Sequence, residues 1–534
     1  MSPTRGALVA GAALTAAAAV TITVVVWPDV SDTGRQGGTA VASTPSHTSP
    51  SPTRSYPLST APRTIPAVRE HIPARGPGWQ PGPDSSVVIG DGSGALADEA
   101  QLLAKELKIR YRGAVPARAG DVELALGTPG KGAPESYTLK TQDGRVIITG
   151  PDQAGVFYGT RTLKQSLRAD GTMPEGEVRD RPDRPQRGLN LDIARKYYSV
   201  GWIEDRLREM ADLKLNQLGL HFSDDQAFRI QSDTHPEIVS PEHLTKAEVR
   251  QILALAGRLH IDVVPEIDSP GHLGAVLRAH PELQLRNTAG VASTGSIDIS
   301  RPDSAKLIDQ LIGEFAELFG GRYWHLGGDE YRALTVKNPA VSYPQLQRAA
   351  QLKYGAAAGI KDLATGWLND RAAVVRPHGL QPKAWNDGFF RDGIVRADKD
   401  IEVEYWTGKE YGARPPEEYL SEGRRVVNLN DEFLYYVLGQ PNQFVYPTGK
   451  RIYELWTPLV LRGTQPVPAR YSSQILGGRF AVWGDLPQAQ TAAQVAAGIR
   501  MPLRATAQKL WDPRKPALSW GQFQALAGTI DKTG

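Results

Sequence analysis

Beyond residue 185, eight short apolar runs alternate with stretches of helical periodicity, and this limits the possible folds of the 534-residue chain more than any other feature. They are Gly188–Ile193, Leu215–Phe222, Ile261–Ile267, Tyr323–Leu326, Pro382–Trp385, Ile401–Trp406, Arg425–Leu429 and Gln474–Trp483. Near-continuous apolar runs of this length suit strands buried on both faces. Such strands are parallel, because each reaches the next through a helix-sized crossover. Eight of them predict an α/β fold, a (β/α)8 TIM barrel over residues 185–505, with residues 506–534 as a tail packed on the barrel. Barrel ligand sites are built at the C-terminal strand ends, and polar residues collect there. Asp192 and Arg195 follow the first run; His221, Asp224 and Asp225 the second; Glu266, Asp268 and His272 the third; Asp329 and Glu330 the fourth. Trp385 and Asp387 end the fifth, Glu404 and Trp406 the sixth, Asn430 and Asp431 the seventh, Trp483 and Asp485 the eighth. Residues kept only for structure would scatter to both ends of the barrel.

Upstream, Ser86–Gly90, Asp121–Gly127, Tyr137–Thr141 and Arg145–Thr149 read as short strands, and Ala95–Leu107 and Gly155–Ala169 as amphipathic helices. Asp143-Gly144 between two of the strands is a hairpin signal. Residues 67–184 are therefore expected to form a smaller α+β domain, closed by the Arg- and Pro-rich stretch Arg179–Pro185. Residues 31–66 are rich in Ser, Thr, Pro and Gly and predict a flexible tether. Within residues 1–30, Arg5 precedes an uncharged run from Gly6 to Trp27, about long enough to cross a bilayer. It reads as a signal peptide or an N-terminal membrane anchor, with Ala40-Val41-Ala42 as a distant processing candidate. The chain is expected to be secreted or anchored at the outer face of the cell membrane. It has no cysteine, so disulfides, thiolate metal sites and cysteine lipidation are closed to it.

With 61 basic and 58 acidic residues and no basic stripe interleaved with aromatics, the chain has no electrostatic footprint for nucleic acid. Eleven tryptophans, several beside acidic residues, suit sugars instead: indole faces cover C–H faces while carboxylates bind hydroxyls. Sugar hydrolysis needs a carboxylic acid to protonate the leaving oxygen and stabilisation of an oxocarbenium-like centre. Trp324-His325-Leu326-Gly327-Gly328-Asp329-Glu330 delivers two consecutive acids at a strand end. Such neighbours repel, so one pKa should rise and keep a proton for general acid work. Adjacent residues cannot readily flank one anomeric carbon as an acid and a nucleophile about 5 Å apart. A 2-acetamido oxygen of the substrate can attack instead, with one carboxylate orienting the acetamido N–H and its neighbour acting as acid and then base.

Four segments in order carry a resemblance: Arg187 to Arg195, Leu220 to Ile230, Val264 to His272, and the Gly-Gly-Asp-Glu strand. From about Pro66 to Arg504 the chain resembles the family-20 β-N-acetylhexosaminidases, whose accessory N-terminal domain the α+β unit also resembles. The resemblance implies an exo-acting, retaining enzyme that releases terminal β-linked N-acetylhexosamine from oligosaccharides or glycoconjugates, without cofactor or metal. It implies Asp329 as the acetamido-orienting residue, Glu330 as general acid/base, and Asp224 with His272 as a relay tuning the acid. Arg195 is similar to the arginine gripping the sugar's outer hydroxyls, His221 to part of the same wall. Trp367, Trp385 and Trp483, with Trp406 beside them, resemble the aromatic box, and Tyr435 the tyrosine donating to the acetamido oxygen. Asp485 stands where the family has a glutamate, and Val437 where it has Asp or Asn, so a more permissive pocket edge is expected, extending to N-acetylgalactosaminides or release of a disaccharide. A metal-dependent amidohydrolase barrel using His221, Asp268, His272 and His325 is disfavoured, because Leu189-Asn190-Leu191-Asp192 lacks the usual His-x-His pair. A non-catalytic sugar-binding protein on the same scaffold is a further rival.

Overall fold

A computed structural model describes residues 55–127, 132–409 and 413–532. The first layer is a seven-stranded mixed sheet in the order β1-β7-β5-β6-β4-β2-β3. Its strands are β1 (Glu70–Pro73), β2 (Ser86–Ile89), β3 (Arg110–Tyr111), β4 (Val122–Leu126), β5 (Tyr137–Gln142), β6 (Arg145–Gly150) and β7 (Gly176–Asp180). β5 and β6 form the expected hairpin, with Asp143 and Gly144 both at positive φ (53° and 69°), the combination a two-residue turn needs to match the strand twist. The short strands β1, β3 and β7 carry too few apolar residues to signal themselves in the sequence.

The helix Gln153–Asp170 is buried without a break from Gly155 to Ser166. It lies against β5 and β6 on one side and meets the C-terminal helix Trp520–Lys532 on another, so an amphipathic pattern alone understates its burial. Its Arg161 and Lys164 hold Glu106 at 2.6 and 2.7 Å, and Lys164 reaches Asp212 of the barrel at 2.7 Å.

The barrel strands are β8 (Gln186–Asp192), β9 (Gln217–His221), β10 (Asp262–Glu266), β13 (Tyr323–His325), β14 (Gln381–Trp385), β15 (Glu402–Tyr405), β16 (Val426–Asn428) and β18 (Ile475–Trp483). Each pairs in parallel with the next, and β16–β18 and β18–β8 pairings close the ring. β11 (Gln284–Arg286) and β12 (Ala292–Ile297) make a separate hairpin after β10, and β17 (Tyr435–Val437) adds a parallel strand beside the upper half of β18. The barrel interior holds charge. Lys383 bonds Glu402 at 2.7 Å, and Arg479 pairs with Glu404, which is fully buried. Arg479 threads the space left by Gly219, where a Cβ would overlap the Asn190 and Arg479 side chains. Glu404, expected at the mouth, thus belongs to this internal network.

The small domain sits on the N-terminal rim of the barrel. Arg187, at the start of β8, pairs with Glu135 at 2.7 Å, while Lys214, just before β9, reaches Tyr137 Oη at 2.9 Å and Asp180 at 3.2 Å. Trp511 donates to the same Asp180 at 2.9 Å. The opposite end, where strands terminate, is left for the site.

Two expected boundaries need correction. Residues 55–66 are part of the folded body, not tether. Ser59 N–H donates to Ala74, Leu58 bridges to Arg75, and Ile65 is 1% exposed with its N–H on Gln165 Oε1 at 2.8 Å. The supposed tail is helical: Ala492–Trp511, the last barrel helix, runs across position 505 and a second helix, Trp520–Lys532, follows. The signal or anchor and the rest of the tether lie outside the described residues. Among the described residues no helix is long and apolar enough to cross a membrane.

Candidate active site

A closed circuit of contacts surrounds the barrel mouth. Glu330 N–H donates to Asp387 Oδ2 at 3.1 Å, and Asp387 Oδ1 accepts the Trp406 indole N–H at 3.0 Å. Trp406 stacks on Tyr435 with planes 4° apart and centroids 5.8 Å apart; Tyr435 meets Trp483 at 5.7 Å. The Arg195 guanidinium lies 5.6 Å from the Trp483 ring centre and grips Asp224 at 2.6 Å. Asp224 Oδ1 is 3.3 Å from His272 Nδ1, and His272 Nε2 returns to Glu330 Oε2 at 3.4 Å. Residues at or beyond the ends of all eight barrel strands thereby define one pocket, as parallel barrel geometry requires.

The loop carrying the two acids is shaped by glycine. Gly327 and Gly328 have φ of 70° and 103°, and a Cβ at Gly327 would overlap the Asp268 carboxylate. The turn lets Gly328 N–H donate to Asp268 Oδ1 at 2.9 Å and presses Asp329 against Asp268. His272 and Glu330 are themselves left-handed, at φ 54° and 48°; non-glycine residues in that region carry strain of order 1–3 kcal/mol and cluster at functional sites.

The environments of the two acids differ sharply. The Asp329 side chain is largely buried, its Oδ1 has no protein partner, and burial raises its pKa. Burial and the Asp329 charge push Asp268 up further, well above its ordinary value. Glu330 is 55% exposed at its side chain and moves the other way: a hydrogen bond from His272 lowers its pKa. The crowding expected from sequence therefore raises the wrong partner for an acid in the unliganded site, because His272 stands beside Glu330. Burial opposes charge on His272, yet Asp224, Asp329 and Asp268 outweigh it and keep the ring an imidazolium. His221, buried, is likewise lifted, to about 10, by Glu266 and Asp224, with Asp224 Oδ2 2.8 Å from its Nε2. Burial would raise Asp224, but His272 and Arg195 hold it well below the usual range.

An apolar wall completes the pocket. Trp385, Tyr435 and Trp483 cluster with Val427, Leu429, Val437 and Ala481, and Trp406 packs against them. Trp385 is aimed by its N–H to Glu266 Oε1 at 2.7 Å. Burial, with Asp431 and Asp329 nearby, raises the Tyr435 pKa, so its hydroxyl remains a donor. Trp367 is not in this group. It sits on the helix Ile360–Val375, donates to Ser269 Oγ at 3.1 Å and is covered by Arg371 at 4.3 Å. Asp485, partly buried, feels Arg195 and Asp192 electrostatically. Asp268, Asp387 and Glu266 hold the set in place: the first accepts the Gly328 N–H, the second links Glu330 to Trp406, the third aims Trp385. Each lies at or just past a strand end, a signal visible in the sequence, but their partners come from other strands.

Asp268, His272 and Asp329 also bring ligand atoms within 4.8 Å of one another, a grouping that could hold a cation.

An α/β barrel whose mouth combines paired acids, a gripping arginine and an aromatic wall defines the glycoside hydrolase class. The profile of the glycosyl hydrolase family 20 catalytic domain matches residues 185–514, and that of the family's domain 2 matches residues 61–181. The chain belongs to glycosyl hydrolase family 20. It is 32% identical to a lacto-N-biosidase of Bifidobacterium bifidum over 89% of this chain and 42% of that protein. It is 26% identical to the β-hexosaminidase β subunit of Rattus norvegicus over 72% of this chain and 70% of the relative. Among solved structures, the fold matches a product-bound β-hexosaminidase of Streptomyces plicatus with a TM-score of 0.70 at 23% identity, covering 90% of this chain and 96% of the other.

Proposed function

We propose that this protein hydrolyses terminal β-N-acetylhexosaminides with retention, the substrate's acetamido oxygen serving as nucleophile. The observation that carries the reading is the division between neighbouring acids. Asp329 is buried with an unpartnered oxygen, suited to accept the acetamido N–H, while Glu330 is half-exposed and hydrogen-bonded to His272, suited to exchange a proton with the leaving group. Tyr435 would donate to the attacking acetamido oxygen, and Trp385, Trp406 and Trp483 would cover the sugar and its methyl group. As the acetamido oxygen closes on the anomeric carbon, Asp329 stabilises the cationic ring that forms, and Glu330 protonates the departing oxygen. Glu330 then takes a proton from the incoming water. The test is a pair of nitrophenyl substrates: the N-acetylglucosaminide should be cleaved and the otherwise identical β-glucoside nearly inert, while a thiazoline mimic of the cyclised intermediate should bind far more tightly than product. Comparable turnover of the glucoside means that a protein carboxylate attacks.

A second reading, release of a disaccharide, is favoured by the pocket edge. Val437 belongs to the apolar wall where the family holds a polar residue, and Asp485 is one methylene shorter than the usual glutamate. Of the alternative sources of the missing contact, Asn430 is committed to the Val460 and Gly463 carbonyls and Asp431 accepts from Lys409 at 2.6 Å, while Asn442 is exposed on its loop. Loss of a buried polar partner weakens rejection of a substituted ring. The match to a lacto-N-biosidase over most of this chain supports the same reading. A nitrophenyl galactosyl-N-acetylglucosaminide should then be cleaved with kcat/KM at or above that of the monosaccharide; strong preference for the monosaccharide rejects it.

A further inference from the structure

Away from the mouth, the segments that follow β9 and β10 meet a second time. His235 precedes the turn Pro236–Ile238, and His280 caps the helix Gly274–Ala279. Glu237 Oε1 lies 2.9 Å from His235 Nδ1 and 3.0 Å from His280 Nε2, and the two rings stand 82° apart with centroids 6.0 Å apart. The outer nitrogens also face acceptors: His235 Nε2 is 3.1 Å from Gln310 Oε1, and His280 Nδ1 is 3.5 Å from Glu282 Oε1. A neutral imidazole has one N–H, so each ring donates from one nitrogen and leaves a lone pair on the other. When the outer acceptors take the N–H groups, both inner nitrogens turn lone pairs toward Glu237. An outer carboxylate or amide that fixes the tautomer in this way is the usual support of a metal-bound histidine.

We propose that His235, Glu237 and His280 bind a zinc ion. The three ligand atoms lie within 4.8 Å of one another. Around a tetrahedral zinc with bonds of about 2.0–2.2 Å they would stand roughly 3.3 Å apart, a small expansion of the present contacts. Two imidazoles and one carboxylate select a borderline transition metal over magnesium or calcium, which take oxygen ligands. The histidine side chains are 14% and 22% exposed and Glu237 is 43% exposed, which leaves an open side for a water as fourth ligand. The ion would clamp the segment carrying Asp224 to the segment carrying His272. Those segments are otherwise joined by Asp225, which accepts the Gly274 N–H at 2.9 Å, and by Arg278, which donates to the Asp225 and Gln226 carbonyls. The metal is thus a positioning element, and its presence does not depend on which glycan is cleaved.

The chelator-stripped full chain should bind one equivalent of added zinc chloride by calorimetry and melt at a higher temperature with it, whereas magnesium and calcium should do neither. His235→Ala and His280→Ala should each weaken zinc binding at least tenfold and abolish the rise in Tm, while still cleaving the chromogenic substrate without metal. As a measurement that needs no variant, zinc should protect His235 and His280 of the wild-type chain from acylation by diethylpyrocarbonate, mapped by mass spectrometry, and leave the exposed His378 reactive. Absence of saturable zinc binding, equal binding by both variants, or unprotected His235 and His280 overturns the proposal. In those cases the two rings serve only as hydrogen-bond partners of Glu237.

Discussion

At the residue scale, the proton inventory of the mouth sets the expected pH behaviour. Glu330 must be protonated to act, yet in the unliganded site the His272 imidazolium lowers its pKa. A substrate that covers the exposed face of Glu330 removes water from it and raises that pKa. The alkaline limb of kcat should therefore lie at higher pH than that of kcat/KM, since the former reports the complex and the latter the free enzyme. His272→Asn removes the neighbouring cation, so the kcat/KM limb should move to higher pH while the rate falls; a shift to lower pH contradicts the assignment. Glu330→Gln should cost about 10²–10⁴-fold on substrates with poor leaving groups and much less on acidic phenols, which depart without a proton. Equal losses on both would remove Glu330 from the acid role.

At the scale of elements, the segment 55–66 shows how a compositional reading goes astray. Its Ser, Thr and Pro content predicts a tether, but one residue, Ile65, finds a pocket that the helix Gln153–Asp170 supplies about a hundred positions later, and Gln165 bonds both Ile65 N–H and Ile65 C=O at 2.8 Å. Full burial of an isoleucine is worth about 1.5–3 kcal/mol, before the loss of those two bonds is counted. A chain beginning at Ala67 should therefore melt several degrees below one beginning at Ser55, with kcat unchanged, because the contact lies on the rim away from the mouth. Equal melting temperatures would show the segment to be dispensable. Strand β15 teaches the same lesson inside the barrel. Alternation puts Glu402 and Glu404 on one face, but depth along the axis decides that both serve the internal lysine and arginine.

For the whole molecule, the small domain and the barrel share buried charge and apolar surface. Arg187 and Lys214 are fully buried between the two, beside the equally buried Trp511 and Tyr158. A chain beginning at Arg187 would expose this rim and should aggregate, as a large uncovered apolar patch does; light scattering during refolding measures it. A soluble barrel of full activity would show that the domain only decorates the fold.

The spacing of apolar runs determined the barrel, and the place of polar residues at or just past a run pointed to the side chains around the mouth, Glu404 excepted. Both follow from local rules, since strand period assigns faces and chain direction assigns ends. The hairpin at Asp143-Gly144 belongs with them, because φ > 0 at both turn residues is a local demand. Only the tertiary structure decided which member of the acid pair has its pKa raised and which has it lowered. Asp268, which presses on Asp329, and His272, which bonds Glu330, come from the segment after β10, about sixty residues away in sequence. A pKa answers to burial and to charges through space, and neither can be read from adjacency along the chain. For the same reason Trp367, alike in the sequence to the other tryptophans, went to Ser269 and Arg371 instead of the aromatic wall: periodicity names the face of a helix but not the neighbour that face will meet.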